Sequence, residues 1–103
     1  MTAAQVQAAI NPNDVHKAPS RMVSLENTSN RGGGSCYEWE AMEAIRQVCN
    51  QHRLKLHLDG ARLFNALVAK NQTPRQYGSL FDSISICLSK SLGAPVGSLL
   101  LGD

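Results

Sequence analysis

Four side chains of this sequence combine a reactive type with a telling position. Asp59 stands where an alternating apolar run, residues 54–58, stops and Gly60 follows. A carboxylate there can hold a cationic ring nitrogen, a metal or a hydroxyl, or it can cap the helical segment that opens near Arg62. Lys90 lies between Ser89 and Ser91, at the end of another apolar run. A lysine held in such a place can attack a carbonyl to form a Schiff base. The plain alternative is a solvated surface lysine. Arg62 offers a planar fork to a carboxylate or phosphate, or else a surface ion pair. His57 alternates with Leu56 and Leu58 and so shares a strand face with Asp59. It can stack on an aromatic ring, act as a base, or pack as a neutral side chain.

These residues need elements to position them. Residues 2–10 read as a short helix, with Thr2 as cap and Val6 and Ile10 four apart. Pro12 and its Asn and Asp neighbours end it. Residues 22–25 read as a strand that ends in Glu26, Asn27 and Thr28. Gly32, Gly33 and Gly34 make residues 29–35 a loop. Neither a Gly-Lys-Ser/Thr sequence nor a dinucleotide spacing makes that loop a phosphate cradle.

From residue 37 to 53 the period is helical. Trp39, Met42, Ile45 and Cys49 form one apolar face; acids fall in the first half and Arg46, His52 and Arg53 in the second, as the helix dipole favours. Residues 54–58 read as a strand running to Asp59, and residues 62–70 as a helix with Leu63 and Leu67 inward. Thr73 and Pro74 open a further short helix. Residues 81–88 form a strand, 92–95 a turn, and 96–101 a last strand interrupted by Gly97. This alternation predicts an α/β fold. In open α/β sheets ligands bind beyond the carboxyl ends of the strands. Glu26-Asn27-Thr28, residues 57–62 and Ser89-Lys90-Ser91 all fall there. The last strand reads as a central one, and a parallel sheet needs a crossover and two covered faces. A segment of a longer fold is therefore expected.

Composition narrows the classes. The 103 residues suit one small domain, and 43% hydrophobic with 17% charged residues argues against disorder. The net charge of +2 comes with scattered Lys and Arg and no basic stripe, so nucleic acid is not an expected partner. No apolar run of about 18 residues is present, so no membrane span is expected, and the N-terminus lacks signal-peptide character. Cys36, Cys49 and Cys87 are odd in number and widely spaced. They read as partly buried small hydrophobes in a reducing cytoplasm, not as disulfides or metal ligands. No metal site is expected.

Two motifs at this separation point further. The stretch His57-Leu58-Asp59-Gly60-Ala61-Arg62, and then Ser85-Ile86-Cys87-Leu88-Ser89-Lys90-Ser91-Leu92-Gly93-Ala94-Pro95-Val96-Gly97, closely resemble the low-specificity L-threonine aldolases. Those enzymes belong to the aspartate-aminotransferase-like (fold type I) superfamily that uses pyridoxal 5'-phosphate. Val23-Ser24-Leu25-Glu26-Asn27-Thr28 is similar to that family too, and the resemblance runs from about Thr2 to Asp103.

The resemblance implies that residues 1–103 are the central part of the cofactor-binding large domain, without the upstream phosphate-binding loop and the downstream small domain. It implies that Lys90 forms the Schiff base with the cofactor. Asp59 would pair with the pyridine nitrogen, whose protonation makes the ring an electron sink. Arg62 would lie beside the cofactor and help hold the substrate carboxylate. The reaction implied is cleavage of L-threonine or L-allo-threonine, small β-hydroxy amino acids, to glycine and acetaldehyde. Lys90 would be displaced by substrate and would not be the retro-aldol base. A homodimer or homotetramer with active sites at subunit interfaces is implied. Ser29 departs from the histidine of many relatives, and residues 32–34 do not match the phosphate loop, which lies earlier in the family. Other pyridoxal-phosphate lyase reactions, β-elimination or phenylserine-type aldol cleavage, use the same pair. A non-catalytic α/β piece is the remaining alternative.

Overall fold

The computed structural model describes all 103 residues. In chain order the elements are α1 (Ala3–Ala9), β1 (Met22–Glu26), α2 (Trp39–Gln51), β2 (Lys55–Asp59), α3 (Leu63–Lys70), α4 (Pro74–Leu80), β3 (Ser83–Cys87) and β4 (Ser98–Gly102). The strands form one sheet in the order β1-β2-β3-β4. The first three are parallel, with Leu25 beside Leu58, Glu26 beside Asp59, and Asp59 beside Ser85.

Local chemistry explains the helix ends. Thr2 and Gln5 form a reciprocal capping box at α1, and Thr73 and Gln76 repeat it at α4 with Pro74 in the first turn. Asn71 ends α3 in the left-handed conformation (φ 51°), which asparagine tolerates better than most residues. α2 buries Met42, Ile45 and Cys49, three residues of the stripe read from its spacing. Trp39 packs against the same core from its edge.

Strand alternation sorts the two faces of the sheet. Leu25, Leu56, Leu58, Ile84 and Ile86 are buried and join the helix side chains in one core. Fully burying a leucine there stabilises the fold by about 1.5–3 kcal/mol. The alternate residues Ser24, His57, Asp59, Ser83 and Ser85 belong to the other face. His57 stands in register with Ser83, and its Nδ1 lies 2.8 Å from Ser83 Oγ.

The last strand breaks the parallel pattern of the other three. β4 runs antiparallel to β3, its five residues are all exposed, and within the chain it lies at the edge of the sheet. The reason is the loop 88–97, which reverses the chain directly; an antiparallel neighbour needs no crossover.

At the opposite, amino-terminal end of β3, Asp82 ties three elements together. Its Oδ2 accepts from Arg46 Nη1 (2.5 Å) and from the Leu56 N–H (2.8 Å), and its Oδ1 from Lys55 Nζ (3.2 Å). The Asp82 N–H returns a bond to the Leu56 carbonyl at 2.8 Å. The Arg46 hydrogen bond, the Leu56 amide and Lys55 together hold the carboxyl well below the usual carboxylate range, against the opposing effect of burial. A third ion pair, Lys70 with Glu38, ties the end of α3 to the start of α2. No helix is long and apolar enough to cross a membrane.

Candidate functional site

Gly60 explains how the carboxyl edge of the sheet closes. Its N–H donates to the Ser85 carbonyl at 2.8 Å. A Cβ at residue 60 would stand 2.9 Å from that same oxygen and 3.1 Å from Leu63 Cβ. Any larger residue must therefore push β2 and β3 apart at their ends. The absent side chain lets β2 stop against β3 and α3 begin three residues later.

Asp59 is the last residue of β2 and is exposed. Its Oδ1 accepts the Ala61 N–H at 3.1 Å, an Asx-type turn that orients the carboxylate. The helix-cap alternative is not realised: Ala61 lies before the helix, Arg62 takes the N-cap position of α3, and no side chain caps that helix. Arg62 is partly buried, and no carboxylate lies within ion-pair distance of it; the three ion pairs involve Arg46, Lys55 and Lys70. Lys90 is exposed and opens a turn in which the Gly93 N–H donates to the Lys90 carbonyl at 3.0 Å. It too has no acidic partner.

Asp59 ends β2, Arg62 opens the helix that follows, and Lys90 lies just past the end of the adjacent strand β3. The structure thus gathers the three at one edge of the sheet, without direct pairing among them. By its chemistry, an oriented carboxylate suits a cationic nitrogen, a guanidinium without an acid partner suits an acid group, and a lysine amine suits a carbonyl carbon.

From the third polar strand end, Asn27 reaches this edge by its backbone, not by its side chain. Asn27 and Thr28 are buried, at 0% and 7% exposure. Asn27 Nδ2 donates to Tyr77 Oη at 2.9 Å, and the tyrosine hydroxyl donates to Gln72 Oε1 at 2.9 Å. Burial pushes the Tyr77 hydroxyl above the usual range, so it stays protonated and able to donate. Asn27 was legible as a polar strand end but not as a core residue, because its partner lies 50 positions away. A groove of about 570 Å³ runs beside the end of β1, lined in part by Glu26, Ser29, Cys36 and Tyr37. There burial, and then the Glu26 charge, raise the Tyr37 hydroxyl. The three cysteines are free, Cys49 buried and the others partly so.

Comparison with known proteins bears on what this edge does. The profile of the beta-eliminating lyase family matches residues 1–103. The low specificity L-threonine aldolase of Saccharomyces cerevisiae is 51% identical over 90 residues, which are 87% of this chain and 22% of that protein. Threonine aldolase from Leishmania major superposes with a TM-score of 0.85 at 28% identity, over 97% of this chain and 29% of that one. A structure from Exiguobacterium sp. 255-15, described as an aromatic amino acid beta-eliminating lyase/threonine aldolase, superposes at 0.83 with 33% identity, over 99% and 27%. The chain thus spans about a quarter of the length of the relatives it matches. Its fold is that of the aspartate-aminotransferase-like (fold type I) enzymes. Matched by the family profile from end to end, the chain belongs to the beta-eliminating lyase family.

Proposed function

We propose that the protein carrying this chain cleaves L-threonine and L-allo-threonine to glycine and acetaldehyde with pyridoxal 5'-phosphate, and that Lys90, Asp59 and Arg62 are its contacts to cofactor and substrate. The observation that carries the reading is the unpaired set at the carboxyl edge: an oriented carboxylate ending β2 and a lysine with no acid partner just past β3. They stand in a chain that matches threonine aldolases along most of its length.

When bound, the cofactor supplies a carbonyl carbon for amines and a ring that takes up the electron pair released as the Cα–Cβ bond breaks. Lys90 would hold the cofactor covalently through Nζ. The Asp59 carboxylate, fixed at one oxygen by the Ala61 N–H, would keep a proton on the ring nitrogen with the other. Arg62, free of any protein carboxylate, would bind the substrate's. In this assignment residues 1–103 are the central part of the cofactor-binding large domain. The active protein is a cytoplasmic homodimer or homotetramer, on the strength of the family resemblance and the free cysteines.

The test is acetaldehyde release by the full-length protein with added cofactor, on L-threonine and on L-allo-threonine. Activity on either one that disappears in Lys90→Ala supports the reading; activity on neither overturns it. The Exiguobacterium relative favours β-elimination as the second reading. Release of a keto acid and ammonia in place of acetaldehyde would decide for it.

A further inference from the structure

Asn27 follows β1 directly, and its backbone N–H donates to the Asp59 carbonyl at 3.1 Å. This adds one rung beyond the β1–β2 ladder, at the residue that carries the carboxylate. The Asn27 side chain turns inward to Tyr77, and the Tyr77 hydroxyl reaches Gln72. The Tyr77 ring is itself fixed, edge-on to Trp39 at 5.8 Å and stacked on Phe81 at 6.0 Å. A hydrogen-bonded relay thus runs from the loop after α3, through α4, to the backbone of Asp59.

As a stability device this relay is a poor one. Asn27 Oδ1 is buried and has no donor. The amide therefore bears a desolvation cost that the single bond at its nitrogen offsets only in part. Apolar side chains of similar volume would fill the space without that cost. What they lack is direction. A hydrogen bond selects one depth and pitch of the β1 end against α4, and the Asn27 N–H passes that choice to Asp59.

We propose that Tyr77 and Gln72 are positioning residues for the Asp59 carboxylate, acting through Asn27 and not by contact with ligand. The inference rests on the assignment of Asp59 to the cofactor ring nitrogen.

The test uses the full-length protein and Tyr77→Phe, which removes one oxygen and keeps the ring contacts. Without cofactor, hydrogen exchange at the Asn27 amide is expected to quicken about tenfold. The Gly60 amide, bonded to Ser85, is expected to keep its protection. The dissociation constant for pyridoxal 5'-phosphate, read from visible absorbance well below the thermal midpoint, is expected to rise about tenfold. Gln72→Leu should give the same pattern more weakly, and it carries the test if Tyr77→Phe does not fold. Wild-type exchange at Asn27 and a wild-type dissociation constant would overturn the inference. Equal loss of protection at Asn27 and Gly60 would also overturn it, since that is the mark of a merely structural role. If the wild-type protein itself shows no cofactor absorbance, the cofactor assignment fails instead, and exchange at Asn27 still reports whether the relay holds the strand end.

Discussion

Replacing Asp82 by asparagine removes a charge and keeps the shape, which isolates what the carboxylate does for the fold. Oδ2 accepts from both Arg46 and the Leu56 amide, and Oδ1 from Lys55. Asparagine can still accept the Leu56 N–H, so the loss is the charge-assisted part. A bond between charged groups contributes about 1.5–3 kcal/mol. The Arg46 and Asp82 side chains are 25% and 23% exposed, so solvent takes part of this; the Lys55 side chain is 75% exposed and adds little. The expected loss at pH 7 is about 1–2 kcal/mol.

The pH dependence follows from the direction of the shift. The folded carboxyl titrates below its unfolded value, so its contribution is complete above the ordinary carboxylate pKa of about 4. It is lost as pH falls toward the folded value. Urea denaturation of wild type and Asp82→Asn at pH 7 and near pH 2.5 gives both quantities. The two proteins should differ at pH 7 and draw together in acid. A difference of the same size at both pH values would refute the argument, because it would not come from the charge.

Three further outcomes follow from the site. Gly60→Ala should lower the thermal midpoint, with a cost of about 1–3 kcal/mol, since the new methyl meets the Ser85 carbonyl and Leu63; an unchanged midpoint in a thermal melt would show that the strand ends move apart freely. Asp59→Asn keeps an acceptor for the Ala61 N–H, so its thermal midpoint should match wild type while acetaldehyde release by the full-length protein falls on the order of 10²-fold or more. Full activity in that variant would remove Asp59 from the chemistry. The 103-residue chain by itself should release no measurable acetaldehyde from threonine, because the assignment gives it ring and carbonyl contacts and no phosphate grip. Measurable release would show that the grip lies within these residues.

Much of the architecture was legible because it follows from short-range pattern. The apolar spacing of Met42, Ile45 and Cys49 marked α2, and alternation around His57 marked β2 and its two faces. Thr73 with Pro74 marked the start of α4. What escaped depends on distant partners. Asp82 carries no local sign of its role, since Arg46 is 36 positions away and Leu56 is 26. Asn27 and Thr28 look like an exposed strand end until Tyr77 folds over Asn27. The direction of β4 was missed because a strand's sequence does not state its sense, and only the path of the loop 88–97 does. Asp59, Arg62 and Lys90 were legible as types at strand ends; their proposed roles came from motif resemblance, since each had a plain alternative on pattern alone.

In the proposed function Lys90 holds pyridoxal 5'-phosphate. Borohydride reduction of the full-length protein after incubation with the cofactor, followed by peptide mass mapping, tests it most directly. One stable pyridoxyl adduct is expected, on Lys90, absent when reduction precedes the cofactor's addition. An adduct confined to any other lysine, or none at all, would contradict it.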